Sequence, residues 1–157
     1  MNWQLHQLDG RDWTRVVAVG IGVALVTAAF MIVGVKSGVS PLPRPLGLAF
    51  AETVLGRPLP LPVGLFFHTV WVTAFTALYV MLFRDALTFV RALWLGIALW
   101  LFVLVFFLPI VGWGFFGLAV SPKLIVGSAI PHVLFAVFLW GLCRLAFGAP
   151  HAPIIKT

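Results

Sequence analysis

Charge is what this sequence has least of. Ten Lys or Arg and four Asp or Glu are spread over 157 residues, so 9% of the chain is charged. A soluble domain carries about 25%, because its surface has to stay in water. The shortage excludes a water-soluble globule, and a 62% hydrophobic content with mean hydropathy +1.14 puts most of the surface in lipid. Acidic residues are scarcer still. Asp9, Asp12, Glu52 and Asp85 all lie outside the long apolar runs, which leaves no acidic proton relay within them. Cys143 is the only cysteine; it excludes an intrachain disulfide and says nothing about redox compartment. No nucleophile–base pair is recognisable. The formal charge of +6 would suggest nucleic acid in a soluble protein. Here the basic residues stand at the ends of apolar runs, where they meet lipid headgroups, so the partner is the bilayer and neither nucleic acid nor nucleotide is expected.

The charges delimit four uncharged stretches: Val16–Val35, Pro58–Phe83, Ala92–Pro122 and Leu124–Cys143. Each holds at least the ~20 apolar residues that a membrane crossing needs. The third is too short for two crossings joined by a turn, and its glycine-rich end reads as a loop. The expected fold is therefore all-α: a polytopic membrane protein with four transmembrane helices in a bundle. The first run is too long for a signal-peptide core, and Ala49-x-Ala51 lies too far downstream for cleavage, so it reads as a retained helix.

Residues 1–14, with Trp3, Leu5, Leu8 and Trp13 among charges, read as an interfacial arm, with a solvated His6 and Asp12 capping the first span. The membrane domain covers 15–147, and 148–157, with Pro150, His151 and Pro153, reads as a disordered tail. Gly20, Ala24 and Ala28 form a small-residue stripe suited to close helix contact, within the chain or between copies. Lys36–Pro62 is the longest loop. Pro41, Pro43, Pro45 and Pro58, Pro60, Pro62 bracket Leu46–Leu55, expected as a short interfacial helix in the first outer loop. The second span, Val63–Phe83, carries His68, Trp71, Phe75, Tyr79 and Leu82 along one side. Its threonines, Thr69, Thr73 and Thr76, are expected to bond their own helix. Asp85 is placed to cap the third span, Ala86–Val111, which ends at Pro109. The fourth, Leu124–Leu145, carries Ser128, Pro131 and His132. With the N-terminus inside, Arg11, Arg15, Arg84, Arg91, Arg144 and Lys156 face the cytoplasm, against Lys36, Arg44, Arg57 and Lys123. The larger set inside agrees with the positive-inside rule and predicts cytoplasmic N- and C-termini.

Gly112–Gly117 spells G-x-G-x-x-G, but a dinucleotide site needs a preceding strand and a following helix in a βαβ unit. Trp113, Phe115 and Phe116 here point to an interfacial turn with aromatics at headgroup depth. The stronger signal is the pair of histidines inside spans, since ionisable groups there are costly and are functional candidates. The second and fourth helices run in the same direction, and His68 and His132 differ by ~5 Å in depth. Pro131 cannot donate to the Gly127 carbonyl and leaves that oxygen available. With Glu52 on the same side, a 2-His-1-carboxylate set for a divalent metal is one reading, and bis-histidine ligation of haem b is another. The plainest reading is hydrogen-bonded structural histidines. No glycine lane clears room for a macrocycle, and the spacing is not a recognised metal motif. Val63-Gly64 precedes His68 as Val126-Gly127 precedes His132. Two parallel hairpin repeats would put both histidines near a pseudo-two-fold axis normal to the membrane.

His68 with Phe75 and Tyr79, then Pro109-Ile110-Val111-Gly112-Trp113-Gly114-Phe115-Phe116-Gly117, then Gly127-Ser128 and His132, resembles a family of small bacterial four-helix inner-membrane proteins of unknown function. The resemblance covers Val16–Phe147. In that family a glycine often lies one turn after each histidine, where this chain has Val72 and Ala136. It implies a bacterial inner-membrane protein whose matching histidines are the residues to test, and it implies no activity. The leading expectation is a small multi-pass, non-enzymatic accessory or interaction component, in a larger membrane complex or a homo-oligomer. The alternatives are a haem- or metal-binding redox subunit using His68 and His132, and a small oligomeric transporter.

Overall fold

The computed structural model describes residues 6–148; the 148–157 tail beyond Gly148, and Trp3, Leu5, His151 and Lys156, lie outside the described residues. Every element found among them is helical. Four helices are long and apolar enough to cross a membrane: α1 (Gly10–Lys36), α3 (Leu61–Phe83), α4 (Phe89–Ile110) and α5 (Lys123–Phe147). The short helix α2 (Leu46–Leu55) occupies the connection between α1 and α3, as its proline brackets predict. Pro45 precedes α2, Pro60 precedes α3, and Pro62 sits in the first turn of α3, where its missing N–H costs nothing.

The helix starts correct three local expectations. Asp9, not Asp12, caps α1, its side chain accepting the Asp12 N–H at 2.7 Å. The helix therefore begins within the segment expected to be an arm, and Asp12 in its first turn is free to face Arg84 at 3.5 Å and Arg15 at 3.8 Å. Thr88, not Asp85, caps α4. A cap needs an extended residue directly before the first turn, and Thr88 has that backbone. Asp85 pairs instead with His6 at 3.3 Å, while the His6 N–H donates to the Met81 carbonyl. His6 is thus partnered, not simply solvated.

Packing follows from where small residues allow it. The buried face of α1 is Val16, Val19, Gly20, Val23, Ala24, Thr27 and Ala28, a helical period that puts one stripe inward. A Cβ on Gly20 would lie 2.8 Å from the Thr73 Cα, so the stripe is used within the chain, against α3. Helix α1 also packs on α5, and α5 on α4, whereas α3 and α4 barely touch. A two-fold relating the hairpins would make the α1–α5 and α3–α4 pairs alike, and they are not. Trp100 on α4 donates to the Ile125 carbonyl and the Ser128 hydroxyl of α5, both at 3.1 Å. Buried Tyr79 donates to the Thr88 carbonyl at 2.9 Å, tying α3 to the start of α4.

Two breaks in helical geometry shape the end that carries both long connections. Within α4, Val103–Phe107 forms a π-helical turn in which the Leu108 N–H reaches back to the Val103 carbonyl. Pro109 follows directly, and its ring would crowd the preceding turn of a regular helix; widening that turn relieves the crowding. After α4 the chain turns on Gly112, Gly114 and Gly117, all at positive φ, with Phe116 left-handed between them. The N–H groups of Gly112, Trp113 and Gly117 are bonded to carbonyls of Pro109, Leu108 and Gly114, so the loop closes on itself and does not present them to an anion. Trp113 departs from the expected headgroup position. It is buried with Leu108, Leu42 and Leu124, while Phe115 and Phe116 are exposed.

The repeated Val-Gly pairs acquire a physical reason here. Leu48 of α2 packs where a Gly64 Cβ would stand, its Cα 2.6 Å from that position, and the Pro41 ring covers Gly127. Both glycines make room for the same connection. Gly64→Ala is therefore expected to destabilise the protein by about 1–3 kcal/mol through overpacking. Gly141→Ala, with nothing within 4 Å, should be neutral or stabilising by up to ~1 kcal/mol. Thermal unfolding of both variants in nanodiscs checks the contrast.

Candidate functional site

A cleft of about 140 Å³ lies among all four long helices, lined by His68, Trp71, Val72 and Phe75 of α3 and by Ser128, Pro131, His132 and Phe135 of α5. Thr27 and Met31 of α1, Leu99, Phe102, Val103 and Phe107 of α4, and Leu42, Leu46 and Gly47 of the connection complete it. The two histidines expected to meet do line one site. His68 is seven residues past Leu61 and His132 nine past Lys123, an offset of about 3 Å in parallel helices.

Each imidazole is fixed by its neighbours. His132 Nδ1 lies 2.7 Å from the Ser128 carbonyl. A carbonyl only accepts, so Nδ1 carries the proton and Nε2 keeps a lone pair. His68 Nε2 lies 3.1 Å from the Thr27 hydroxyl. That hydroxyl has one proton, and its shortest contact is the Val23 carbonyl at 2.8 Å. The Ala24 carbonyl adds a second acceptor beside the His68 ring. The network therefore assigns the His68 proton to Nε2 and the lone pair to Nδ1. No hydrogen bond within the protein engages His68 Nδ1 or His132 Nε2, and no fully buried side-chain nitrogen or oxygen among the described residues lacks a partner. The two free lone pairs are accessible. Ser128 spends its hydroxyl on the Trp100 indole and the Ile125 carbonyl, so beside the histidines the lining keeps the Trp71 indole N–H as its unengaged polar group.

Aromatic contacts tie the walls of the cleft to the connection. Phe50 of α2 stacks on Phe107 with ring centres 4.5 Å apart and meets Trp71 edge-on at 6.0 Å. Trp71 and Phe107 face each other across α3 and α4 with ring centres 5.8 Å apart. Apart from such contacts the α3–α4 seam is weakly packed beside the α1–α3, α1–α5 and α4–α5 pairs.

Glu52 does not join the histidines. Its carboxylate takes the Arg44 guanidinium and, at 3.1 Å, the Leu59 N–H, stapling both proline-rich flanks to α2. With its oxygens committed there, the expected two-histidine, one-carboxylate set is not assembled, and no group of three or more His, Cys, Asp or Glu suited to a metal occurs among the described residues. The cavity also falls short of the roughly 300 Å³ at which drug-sized ligand pockets begin, so it does not admit a macrocycle such as haem b. Sequence reasoning missed Thr27 as the partner of His68. The signal was present, because Thr27 continues the Gly20–Ala24 stripe and any polar group on that stripe is buried against α3. It also missed Phe50 as the aromatic that meets Trp71 and Phe107.

No protein family, curated protein or solved structure matches this chain.

Two outcomes follow from these assignments. Nitrogen NMR of labelled histidine should find opposite neutral tautomers at neutral pH, with the proton on Nε2 of His68 and on Nδ1 of His132. For Glu52, the Leu59 N–H holds the carboxyl below the usual carboxylate range, against partial desolvation and with help from Arg44. A depressed folded-state pKa means the staple stabilises above the ordinary carboxylate value and is lost as pH falls through the lowered one. Hydrogen-exchange protection at the Leu59 amide should fall in Glu52→Ala at neutral pH, and in the native chain only in strongly acidic solution.

Proposed function

We propose that this chain is a non-enzymatic, multi-pass protein of the bacterial inner membrane. Its four spans form a bundle in the bilayer and serve as the binding component for a small, largely apolar ligand held between them. The observation that carries this reading is the convergence of His68 and His132 on one largely apolar cleft, one ring held by Thr27 of α1 and the other by the Ser128 carbonyl of α5, each keeping one lone pair unengaged. Side chains of all four spans line the space, and a binding role explains why it is kept.

The inner-membrane assignment and the cytoplasmic termini rest on the charges. Arg11, Arg15, Arg84, Arg91 and Arg144 cluster at one end of the helices, against Lys36, Arg44, Arg57 and Lys123 at the other, the bias that keeps an end inside. The large exposed apolar side chains, such as Phe66, Trp94 and Val126, are then lipid-facing. A haem- or metal-bearing redox subunit is the weaker reading, because Glu52 is engaged elsewhere and the space is small.

Met31→Trp places an indole in the cleft at a partly exposed position of α1. Purified in mild detergent at matched folding, the native chain should retain a small molecule near one-to-one, seen by mass spectrometry of the extract, and Met31→Trp should lose most of it. Equal extracts from the two proteins would sink the binding reading.

A further inference from the structure

Resting on the cleft as a binding site, the structure assigns its ligand class: we infer a single aromatic ring bearing hydroxyl donors, a hydroquinone or phenol, bound in preference to the corresponding quinone.

Size limits the ligand first. About 140 Å³ is close to the ~150 Å³ of an engineered apolar cavity that accepts benzene, so one six-membered ring fits and a fused system does not. The walls favour a flat π-system. Trp71 and Phe75 stand nearly parallel, 17° apart with centres at 5.8 Å, and Phe102 and Phe107 lie on the facing helix. Offset and edge-on contacts with such rings add to simple burial.

Hydrogen-bond valence then selects the oxidation state. Thr27 has given its proton to Val23, Ser128 has given its own to Ile125, and the Trp100 indole is held by α5. The polar valences that the lining side chains leave unused are two lone pairs, on His68 Nδ1 and His132 Nε2, and one donor, the Trp71 indole N–H. Acceptors therefore outnumber donors. A hydroxyl satisfies a lone pair, whereas a quinone has only the indole N–H to meet and leaves both histidine lone pairs unpaired. Carboxylates and phosphates are disfavoured for the same reason, since the lining offers them a single indole N–H. His68 and His132 line the same cleft, so a ligand held there lies beside both histidines. The weakly packed α3–α4 seam gives a route for a hydrocarbon tail into the surrounding lipid. A membrane-borne quinol and a free phenol share the recognised chemistry.

The test uses the full chain in phosphatidylcholine nanodiscs and a benzohydroquinone carrying a decyl tail, titrated reduced under dithionite and, separately, as the quinone. Tail-less counterparts are run alongside. The reduced form should bind at least tenfold more tightly than the quinone, equivalent to 1.4 kcal/mol. His68→Leu and His132→Leu should each erase most of that preference. Thr27→Val, close in shape to the native side chain, should narrow it by releasing the His68 tautomer, and it serves where a histidine variant does not fold. Equal affinity for the two forms, a preference for the quinone, or a preference unchanged in these variants would overturn the inference. If both forms bind equally and Met31→Trp blocks both, the cleft is a binding site and only the donor assignment fails. If no ring binds in either form, the assigned class falls, and retention of a different small molecule by the native chain still supports the cleft. Tighter binding of the tailed ring identifies a lipid source, and equal binding of the tail-less ring a water-borne one; either result with the reduced-form preference supports the inference.

Discussion

A polar group carried into lipid has no water to bond, and each one left unpaired costs several kcal/mol. That constraint organises this molecule more than any apolar contact does, because apolar side chains gain little from choosing one another over lipid tails. Three polar contacts within or beside the spans tie particular helices together. Trp100 fixes α4 on α5, Tyr79 fixes α3 to the start of α4, and Thr27 joins α1 to α3 through His68. Hydrogen bonds set the relative rotation of the helices, and Val, Leu and Ala fill the space that results. Two histidine lone pairs stay without a partner in the protein, and both residues line the same cleft.

The connection between α1 and α3 is part of the site and not merely a link. Its prolines are stiff, Glu52 clips both flanks to α2, and Gly64 and Gly127 let Leu48 and Pro41 settle against the two helices that carry the histidines. Phe50 extends from it to join Trp71 and Phe107. A staple made of one carboxylate and one guanidinium thus positions an aromatic against the walls of a cleft that neither of them enters.

The parts of the fold that depend on local chemistry were legible in the sequence. Charge spacing marked four spans, prolines and the apolar run between them marked α2, and shared direction and depth put His68 and His132 at one site. What depends on rotation about a helix axis was not legible. Trp113 belongs to a glycine loop rich in aromatics, and only the turn geometry at Gly112 and Gly114 decides that it goes in while Phe115 stays out. Glu52 was read as a ligand because its side of the chain was clear and its reach was not. Arg44, eight residues away, captures it before any histidine can. Asp9 and Thr88 took the caps from Asp12 and Asp85 because helix starts shift by a turn when two candidates stand close together.

The π-turn at Val103–Phe107 has a consequence for chain length. It gives α4 one residue more than a continuous α-helix would use for the same rise, so everything after it is rotated by about 100° relative to everything before. Leu108 is buried just beyond this turn, and Trp113 follows it inward. A related chain lacking one residue within Val103–Phe107 would run as a continuous α-helix there. That shorter helix would turn the residues after it, change their approach to Phe50 and so change what the cleft can hold.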